Sequence, residues 1–246
     1  MLKALLLDMD DTLCDTPGAN AVAIKKMATA IDELFPAVQQ GINIAEAYVK
    51  GSYREWTAEQ KARYLPIIQG EGEKPFRVQL LIDLLDAENL STTQAQSLQS
   101  KFDIDRIAAF DFYPEIPDFL AKARRHFCLV VITNGPELTQ VPKVERVNLS
   151  EHVDHILIGG LEPEQKPEPS IFHKALTLAN CSASESLHVG DSFASDIVGA
   201  HNSGIESVWI QHGQNIDPKH AVKPDHIIAT PDQLPALIAK LHGSEL

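Results

Sequence analysis

The stretch Leu5-Leu6-Leu7-Asp8-Met9-Asp10-Asp11-Thr12-Leu13 sets a short apolar run directly before a group of carboxylates. The apolar run starts at about Leu2, and its length and composition predict a buried β-strand with acidic side chains at its carboxyl end. In parallel α/β sheets, ligands bind in the crevice at the carboxyl ends of the strands. The stretch therefore predicts a first strand and one side of a functional site.

From about Pro114 onward, short apolar runs alternate with segments of helical periodicity. The predicted helices are 116–125, 138–147, 170–179 and 194–202, and the predicted strands are 128–132, 156–158, 187–189, 208–210 and 226–229. Strands that alternate with helices through short connections favour a parallel, doubly wound sheet. We predict that the first strand joins this sheet in an α/β, Rossmann-like core.

Residues 15–110 have a different pattern, in which apolar side chains such as Ile24, Met27 and Ile31 recur at helical spacing. This region contains no convincing strand pattern. It therefore predicts a helical domain at 15–110, inserted after the first strand, and an α/β core made of 1–14 and 111–246.

The charge balance restricts the kinds of partner. The 246 residues include 34 acidic and 21 basic side chains, for a net charge of −13. Such a surface repels nucleic-acid backbones and anionic membranes, so neither is an expected partner. Three cysteines without motif spacing, and no apolar run near the roughly 20 residues of a membrane span, favour a cytoplasmic protein. An anionic substrate would need a metal ion or a fixed lysine.

Polar side chains follow four of the predicted strands. They are Asp8 and Asp10, then Thr133 with Asn134, then Lys166, and finally Asp191 with Asp196. Alone, a carboxylate pair is as consistent with a solvated turn or helix cap as with a functional site, and a loop lysine is usually solvated. Together, at one edge of a sheet, these groups have the complementary chemistry of a phosphate site.

The donor types predict Mg²⁺ as the cofactor. Carboxylate oxygens suit Mg²⁺ better than zinc, and the sequence has no histidine–cysteine cluster with zinc-like spacing. Lys166 precedes Pro167, which restricts its backbone, and Asn134-Gly135 allows a tight turn that presents N–H groups to an anion. His188, inside a predicted strand, is expected to be a core histidine.

In this order the motifs resemble those of the haloacid dehalogenase-like (HAD) hydrolase superfamily. They are Leu5 to Leu13 as quoted, Val131-Ile132-Thr133-Asn134-Gly135, Lys166-Pro167, and Val189-Gly190-Asp191 with Asp196. The helical insertion is similar to the C1-type cap of that superfamily. The resemblance implies that Asp8 is a nucleophile that forms an aspartyl-phosphate. Asp10 would protonate the leaving alcohol and then activate the hydrolytic water.

The resemblance also implies the roles of the remaining motif residues. Thr133, Asn134 and Lys166 would hold the phosphoryl group. The Mg²⁺ ligands would be the Asp8 carboxylate, the Asp10 backbone carbonyl and the Asp191 carboxylate, with Asp196 supporting the metal from behind these ligands. Compensation of both charges is what allows a carboxylate to attack an anionic phosphate.

Within the superfamily, Asp8 to Ala19 is most similar to the N-acylneuraminate-9-phosphatase group. That likeness implies a small sugar-type phosphate such as N-acylneuraminate 9-phosphate. Two departures from these relatives are Gln165 in place of glycine and Pro142, which is expected to interrupt the helix after Thr133.

Other functions stay open at this point. A related group that acts on nucleoside monophosphates shares two motifs, and a phosphomutase would use the same nucleophile and cap. A receiver-like signalling module is disfavoured, because it is much shorter and carries its phosphorylated aspartate after the third strand. A protein of this fold that only binds phosphate is also disfavoured, because binding alone does not need such a concentration of carboxylates. Dehalogenating members lack the second aspartate, so Asp10 favours phosphoryl chemistry.

Overall fold

Two units of different secondary structure make up the chain. The computed structural model describes residues 1–37, 39–216 and 221–243. One unit comprises Met1–Thr16 with Phe110–Leu246 and is of the α/β class, and the other comprises Pro17–Ala109 and is helical. No helix in the described ranges is both long enough and apolar enough to cross a bilayer.

The helical unit has a hydrophobic core of its own. Its helices are α1 (Thr16–Leu34, which starts at the last residue of the other unit), α2 (Gly41–Ser52), α3 (Ala58–Glu71), α4 (Glu73–Leu84) and α5 (Thr92–Ala109). Ile31, Tyr48, Phe76, Leu81 and Phe102 are buried together in this core. Their helical spacing in the sequence is the signal that predicted these helices.

A six-stranded parallel sheet forms the centre of the α/β unit. The strands are β1 (Ala4–Leu7), β2 (Cys128–Thr133), β3 (His155–Ile158), β4 (Ser186–Gly190), β5 (Glu206–Ile210) and β6 (His226–Ile228). Their order is β3-β2-β1-β4-β5-β6, and every neighbouring pair is parallel. The predicted α/β fold, with its helical insertion after the first strand, is confirmed.

The described residues of this unit also form the helices α6 (Ile116–Ala123), α7 (Glu137–Arg146), α8 (Leu149–His152), α9 (Pro169–Leu178), α10 (Val198–Asn202) and α11 (Leu234–His242). Ile171 and Phe172 of α9 pack with Leu6, Val130 and Ile132 on one face of the sheet. The predicted interruption at Pro142 is wrong, because α7 continues through that residue.

The strand register brings the motif residues to one edge. Leu7 of β1 lies between Val131 and Val189, and the Asp8 N–H donates to the Val189 carbonyl at 2.9 Å. Because all these strands run in the same direction, the residues that follow them emerge at the same end of the sheet.

Candidate active site

Asp8 and Asp10 lie in the tight turn that follows β1. The Leu13 and Cys14 N–H groups both donate to the Met9 carbonyl, at 3.0 and 2.9 Å. Asp11 takes a φ of 57°, in the left-handed region that aspartate tolerates better than most residues. The turn holds Asp8 buried, whereas 27% of the Asp10 side chain stays exposed.

Lys166 joins two of the acidic motifs. Its buried Nζ donates to Asp8 Oδ1 at 2.5 Å and to Asp196 Oδ1 at 2.7 Å. Both are charge-assisted hydrogen bonds, which are stronger than bonds between neutral groups. A single fixed ammonium therefore compensates part of the negative charge of two carboxylates.

The side chain of Asn134 is used to hold the Lys166 backbone. The Lys166 N–H donates to Asn134 Oδ1 at 3.0 Å, and Asn134 Nδ2 donates to the Lys166 carbonyl at 2.8 Å. This pair of hydrogen bonds fixes the segment that carries the ammonium. It leaves the backbone N–H as the group that Asn134 can offer to a phosphate.

Asp196 is enclosed by polar partners. His188 Nε2 lies 2.9 Å from Asp196 Oδ1, and the Ser192 N–H donates to Asp196 Oδ2 at 3.0 Å. A Cβ on Gly190 would lie 2.2 Å from Asp196 Cγ, so glycine is what lets this carboxylate approach β4. His188 is fully buried, as expected for a core histidine.

Oxygen atoms of Asp8, Asp191 and Asp196 lie within 4.8 Å of one another. Burial, together with the nearby Asp8 and Asp196 carboxylates, raises the pKa of Asp191 to about 9. Burial also raises the pKa of Asp8, to about 7, although Lys166 opposes this effect. Burial disfavours ionised Asp196 too, but Lys166 and His188 outweigh it and lower that pKa to about 2.

These three carboxylates fit a divalent cation. They outnumber the one ammonium, which pairs with Asp8 and Asp196, and the raised pKa values of Asp8 and Asp191 are what such crowding of carboxylates produces. Their hard oxygen atoms are the ligands that Mg²⁺ prefers. Asp8 and Asp191, the carboxylates predicted to bind the metal, are brought together. Asp196, predicted to lie behind the ligands, is in the same cluster, and the Asp10 side chain points to other partners.

Three side chains hold the Asp10 carboxylate. Lys143 Nζ and Thr16 Oγ1 donate to Oδ1 at 2.6 and 2.5 Å, and Gln140 Nε2 donates to Oδ2 at 2.7 Å. Burial alone would raise the pKa of Asp10, but these partners, Lys143 first among them, lower it. In this geometry Asp10 is an ionised, oriented carboxylate.

Gln140 also orients Thr133. Its Nε2 donates to Thr133 Oγ1 at 2.5 Å, so the hydroxyl oxygen acts as an acceptor there. The hydroxyl hydrogen is then available to a phosphoryl oxygen, since its contact with the Asn134 carbonyl is long, at 3.5 Å. One amide thus links the phosphate-binding and acid–base groups.

Gln140 and Lys143 are functional candidates that the sequence analysis missed. They lie three residues apart on α7, both are buried, and both contact Asp10. The available signal was this spacing in the helix that follows Thr133, because residues three apart share a helix face. Lys143 Nζ also lies 5.4 Å from the centroid of the Phe110 ring.

Comparison with known proteins identifies the family. A family model described as haloacid dehalogenase-like hydrolase matches residues 2–204. The chain belongs to this family. The solved structures most similar to it include a putative HAD hydrolase from Bacillus subtilis bound to magnesium, with a TM-score of 0.71 and 20% identity over 96% of this chain and 98% of that one.

Curated relatives of this HAD hydrolase match over nearly their whole length. Glyceraldehyde 3-phosphate phosphatase of Pyrococcus furiosus is 28% identical over 99% of this chain and 96% of the relative. N-acylneuraminate-9-phosphatase of Rattus norvegicus is 23% identical over 98% of this chain and 95% of the relative. The chain is accordingly a HAD-type phosphatase.

We expect Lys143→Met to lower kcat of this phosphatase by about 10- to 100-fold, the worth of one hydrogen bond to a charged group. KM should change much less, since Lys143 contacts Asp10 and not the phosphate-binding groups. Steady-state kinetics on one phosphate ester check this. Lys122→Met, at an exposed position on α6, is the control. An unchanged kcat in Lys143→Met would show that the remaining partners suffice.

Proposed function

We propose that this protein is a Mg²⁺-dependent phosphate monoester hydrolase that acts on a small sugar-type phosphate through an aspartyl-phosphate. The observation that carries the proposal is the buried Lys166 ammonium, which contacts Asp8 and Asp196 beside Asp191. This arrangement provides a nucleophile, partial neutralisation of its charge and oxygen ligands for a cation in one place.

In the first step, an Asp8 carboxylate oxygen attacks phosphorus and forms a new P–O bond while the ester P–O bond breaks. Lys166, the Thr133 hydroxyl and the Asn134 backbone N–H stabilise the phosphoryl oxygens. The leaving alkoxide takes a proton from Asp10. Such electrostatic stabilisation at a buried site lowers the barrier, because its donors are already oriented.

In the second step, water attacks the phosphorus of the aspartyl-phosphate, Asp10 accepts a proton from that water, and inorganic phosphate leaves Asp8. The ion pair of Asp10 with Lys143 favours this base role, because it keeps the carboxylate ionised. To act as the acid in the first step, Asp10 must carry a proton. A comparison of esters with different leaving groups tests that role.

Asp8, Asp191 and the Asp10 backbone carbonyl would hold the Mg²⁺, with Asp196 behind them. When bound, the ion supplies positive charge that offsets the phosphoryl charge and orients the ester. The excess of carboxylates over ammonium in this cluster supports that assignment.

The substrate class follows from the relatives and the sequence motifs. A triose phosphate and a nine-carbon sugar acid phosphate, the substrates that their names specify, are both sugar-type phosphates. We propose the same class for this chain, with N-acylneuraminate 9-phosphate first and nucleoside monophosphates as the alternative. The helical region 15–110 would act as the cap that selects among these esters. A cytoplasmic location suits its free cysteines.

Phosphate release from a panel of esters tests the proposal. The panel holds N-acylneuraminate 9-phosphate, glyceraldehyde 3-phosphate and nucleoside monophosphates, each assayed for free phosphate and for isomeric sugar phosphate. Free phosphate supports hydrolysis, and an isomeric product would identify a phosphomutase. Release confined to nucleotides would overturn the sugar-type assignment.

Removal of divalent metal should abolish phosphate release. Asp8, Asp191 and Asp196 are three carboxylates beside the single ammonium of Lys166, and the raised pKa values of Asp8 and Asp191 mean that without a cation this cluster holds protons. An anionic ester should therefore not be attacked until a cation replaces those protons. Assays after chelation, and again after addition of Mg²⁺ or Ca²⁺, check this. Full activity in chelator would contradict the metal assignment.

A further inference from the structure

The helical unit contains two buried arginines whose positive charges are only partly balanced by carboxylates. Arg77 on α4 is 5% exposed and Arg106 on α5 is 6% exposed. Arginine is rarely buried to this extent unless it is paired. A buried cation that lacks some of its hydrogen-bond acceptors would be stabilised by a bound anion.

The two guanidinium groups share one carboxylate. Arg77 Nη1 donates to Asp103 Oδ1 at 3.3 Å, and Arg106 Nη2 lies 3.9 Å from the same oxygen. Gln99 Nε2 donates a hydrogen bond to the other oxygen, Asp103 Oδ2, at 2.5 Å. With two cations and one anion, the cluster carries a net charge of +1.

Polar atoms around this cluster lack partners. Among the described residues, the Nε atoms of Arg77 and Arg106 are buried without a hydrogen bond, and the hydroxyls of Tyr48 and Ser52 are buried with no partner other than each other. Burial raises the pKa of Tyr48, and the charges of Arg77, Asp103 and Arg106 also act on it, which places the phenol beside both cations. The two Nε atoms and one of the paired hydroxyls can donate hydrogen bonds, so they suit an acceptor that carries negative charge.

Other arginines of this unit are paired differently. Arg54 pairs with Glu73, and Arg63 pairs with Asp83 at 2.5 Å. Both of these arginine side chains are exposed, and each has a carboxylate partner. The arginines whose charge is only partly balanced, Arg77 and Arg106, are therefore the buried ones. An unbalanced charge costs the most free energy when it is buried.

We propose that Arg77 and Arg106, with the hydroxyls of Tyr48 and Ser52, form a binding site for a carboxylate within the helical unit. A carboxylate is planar and accepts two hydrogen bonds from a guanidinium. Its single negative charge balances the net charge of the cluster, whereas a phosphate dianion would leave an excess. Arg106 also stacks on Phe102, with Cζ 5.8 Å from the ring centroid, which limits its freedom to turn toward solvent.

The carboxylate that this site takes is that of a free organic acid. Binding is measured without any ester, as the rise in Tm of the protein in sodium acetate against sodium chloride at equal ionic strength. We expect a rise of about 3 °C or more for the wild type.

Four variants test the residues, and a fifth is the control. Arg106→Met and Arg77→Met should lose the acetate effect, and Arg106→Lys, which keeps the charge but not the guanidinium, should weaken it. Asp103→Asn removes the competing carboxylate and should bind acetate about tenfold more tightly. Arg63→Met, at an exposed pair, should behave as wild type. Asp103→Asn and Arg106→Lys keep the test decisive if the methionine variants do not fold.

If the acetate effect does not depend on Arg77, Asp103 and Arg106, the cluster is a structural ion pair and the proposal is wrong.

Discussion

Asp8→Asn should reduce phosphate release by on the order of 10⁴-fold or more, as removal of a covalent nucleophile does in other enzymes. An amide does not attack phosphorus, and no aspartyl-phosphate can then form. Release of inorganic phosphate from the best ester of the panel measures the loss. Rapid acid quench and mass spectrometry of the peptide that contains Asp8 should show a phosphoryl group in the wild type alone.

The substitution should leave the fold intact. Asparagine keeps the shape of Asp8 and removes one of three crowded carboxylates, while Lys166 retains Asp196 as a partner. We therefore expect a Tm no lower than that of the wild type. Asp118→Asn, at an exposed position on α6, is the matched control. Turnover that survives in both Asp8→Asn and Asp8→Ala would disprove the covalent mechanism.

Asp10→Asn should slow turnover by about 10²- to 10⁴-fold, the usual contribution of a general acid or base. Asparagine can still contact Gln140 and Thr16 but can neither give nor take the required proton. The loss is measured as kcat and kcat/KM on two esters of different leaving group, an alkyl phosphate and p-nitrophenyl phosphate.

The two esters separate the two proposed roles of Asp10. If Asp10 acts as the acid, kcat/KM should fall far more for the alkyl ester, since p-nitrophenolate leaves without a proton. If Asp10 acts only as the base, the aspartyl-phosphate should accumulate equally with both esters. The ion pair with Lys143 favours the base role in this geometry. A variant as active as the wild type on both esters would remove Asp10 from the mechanism.

Much of the fold was predictable because its signals are local. The apolar run before Asp8 and the later strand–helix alternation predicted the parallel sheet, and the helical spacing of apolar residues predicted the insertion. Pro142 shows the limit of such signals. A proline predicts a helix break from its missing N–H, but in α7 the surrounding helix continues through it.

The candidate site was predictable in its motif residues, because parallel strands bring the residues that follow them to one edge. The roles of individual atoms in the site were less predictable. The backbone N–H of Asn134 is still the group proposed to bind phosphate, but the sequence did not show that its side chain holds the backbone of Lys166. Asp196 is still proposed to lie behind the metal ligands, but the sequence did not show how close its oxygen lies to those of Asp8 and Asp191.

By itself, the sequence determined the α/β class, the helical insertion, the order of the motifs and the oxygen-rich, phosphate-directed chemistry of the site. Tertiary structure alone decided which charged side chains lie in contact with one another. Lys143 and Asp10 are 133 positions apart, and Arg77 and Arg106 meet at a single carboxylate. The physical reason is that periodicity and turn preferences act over a few residues, whereas these contacts depend on how distant helices and strands pack and on the few rotamers that packing leaves.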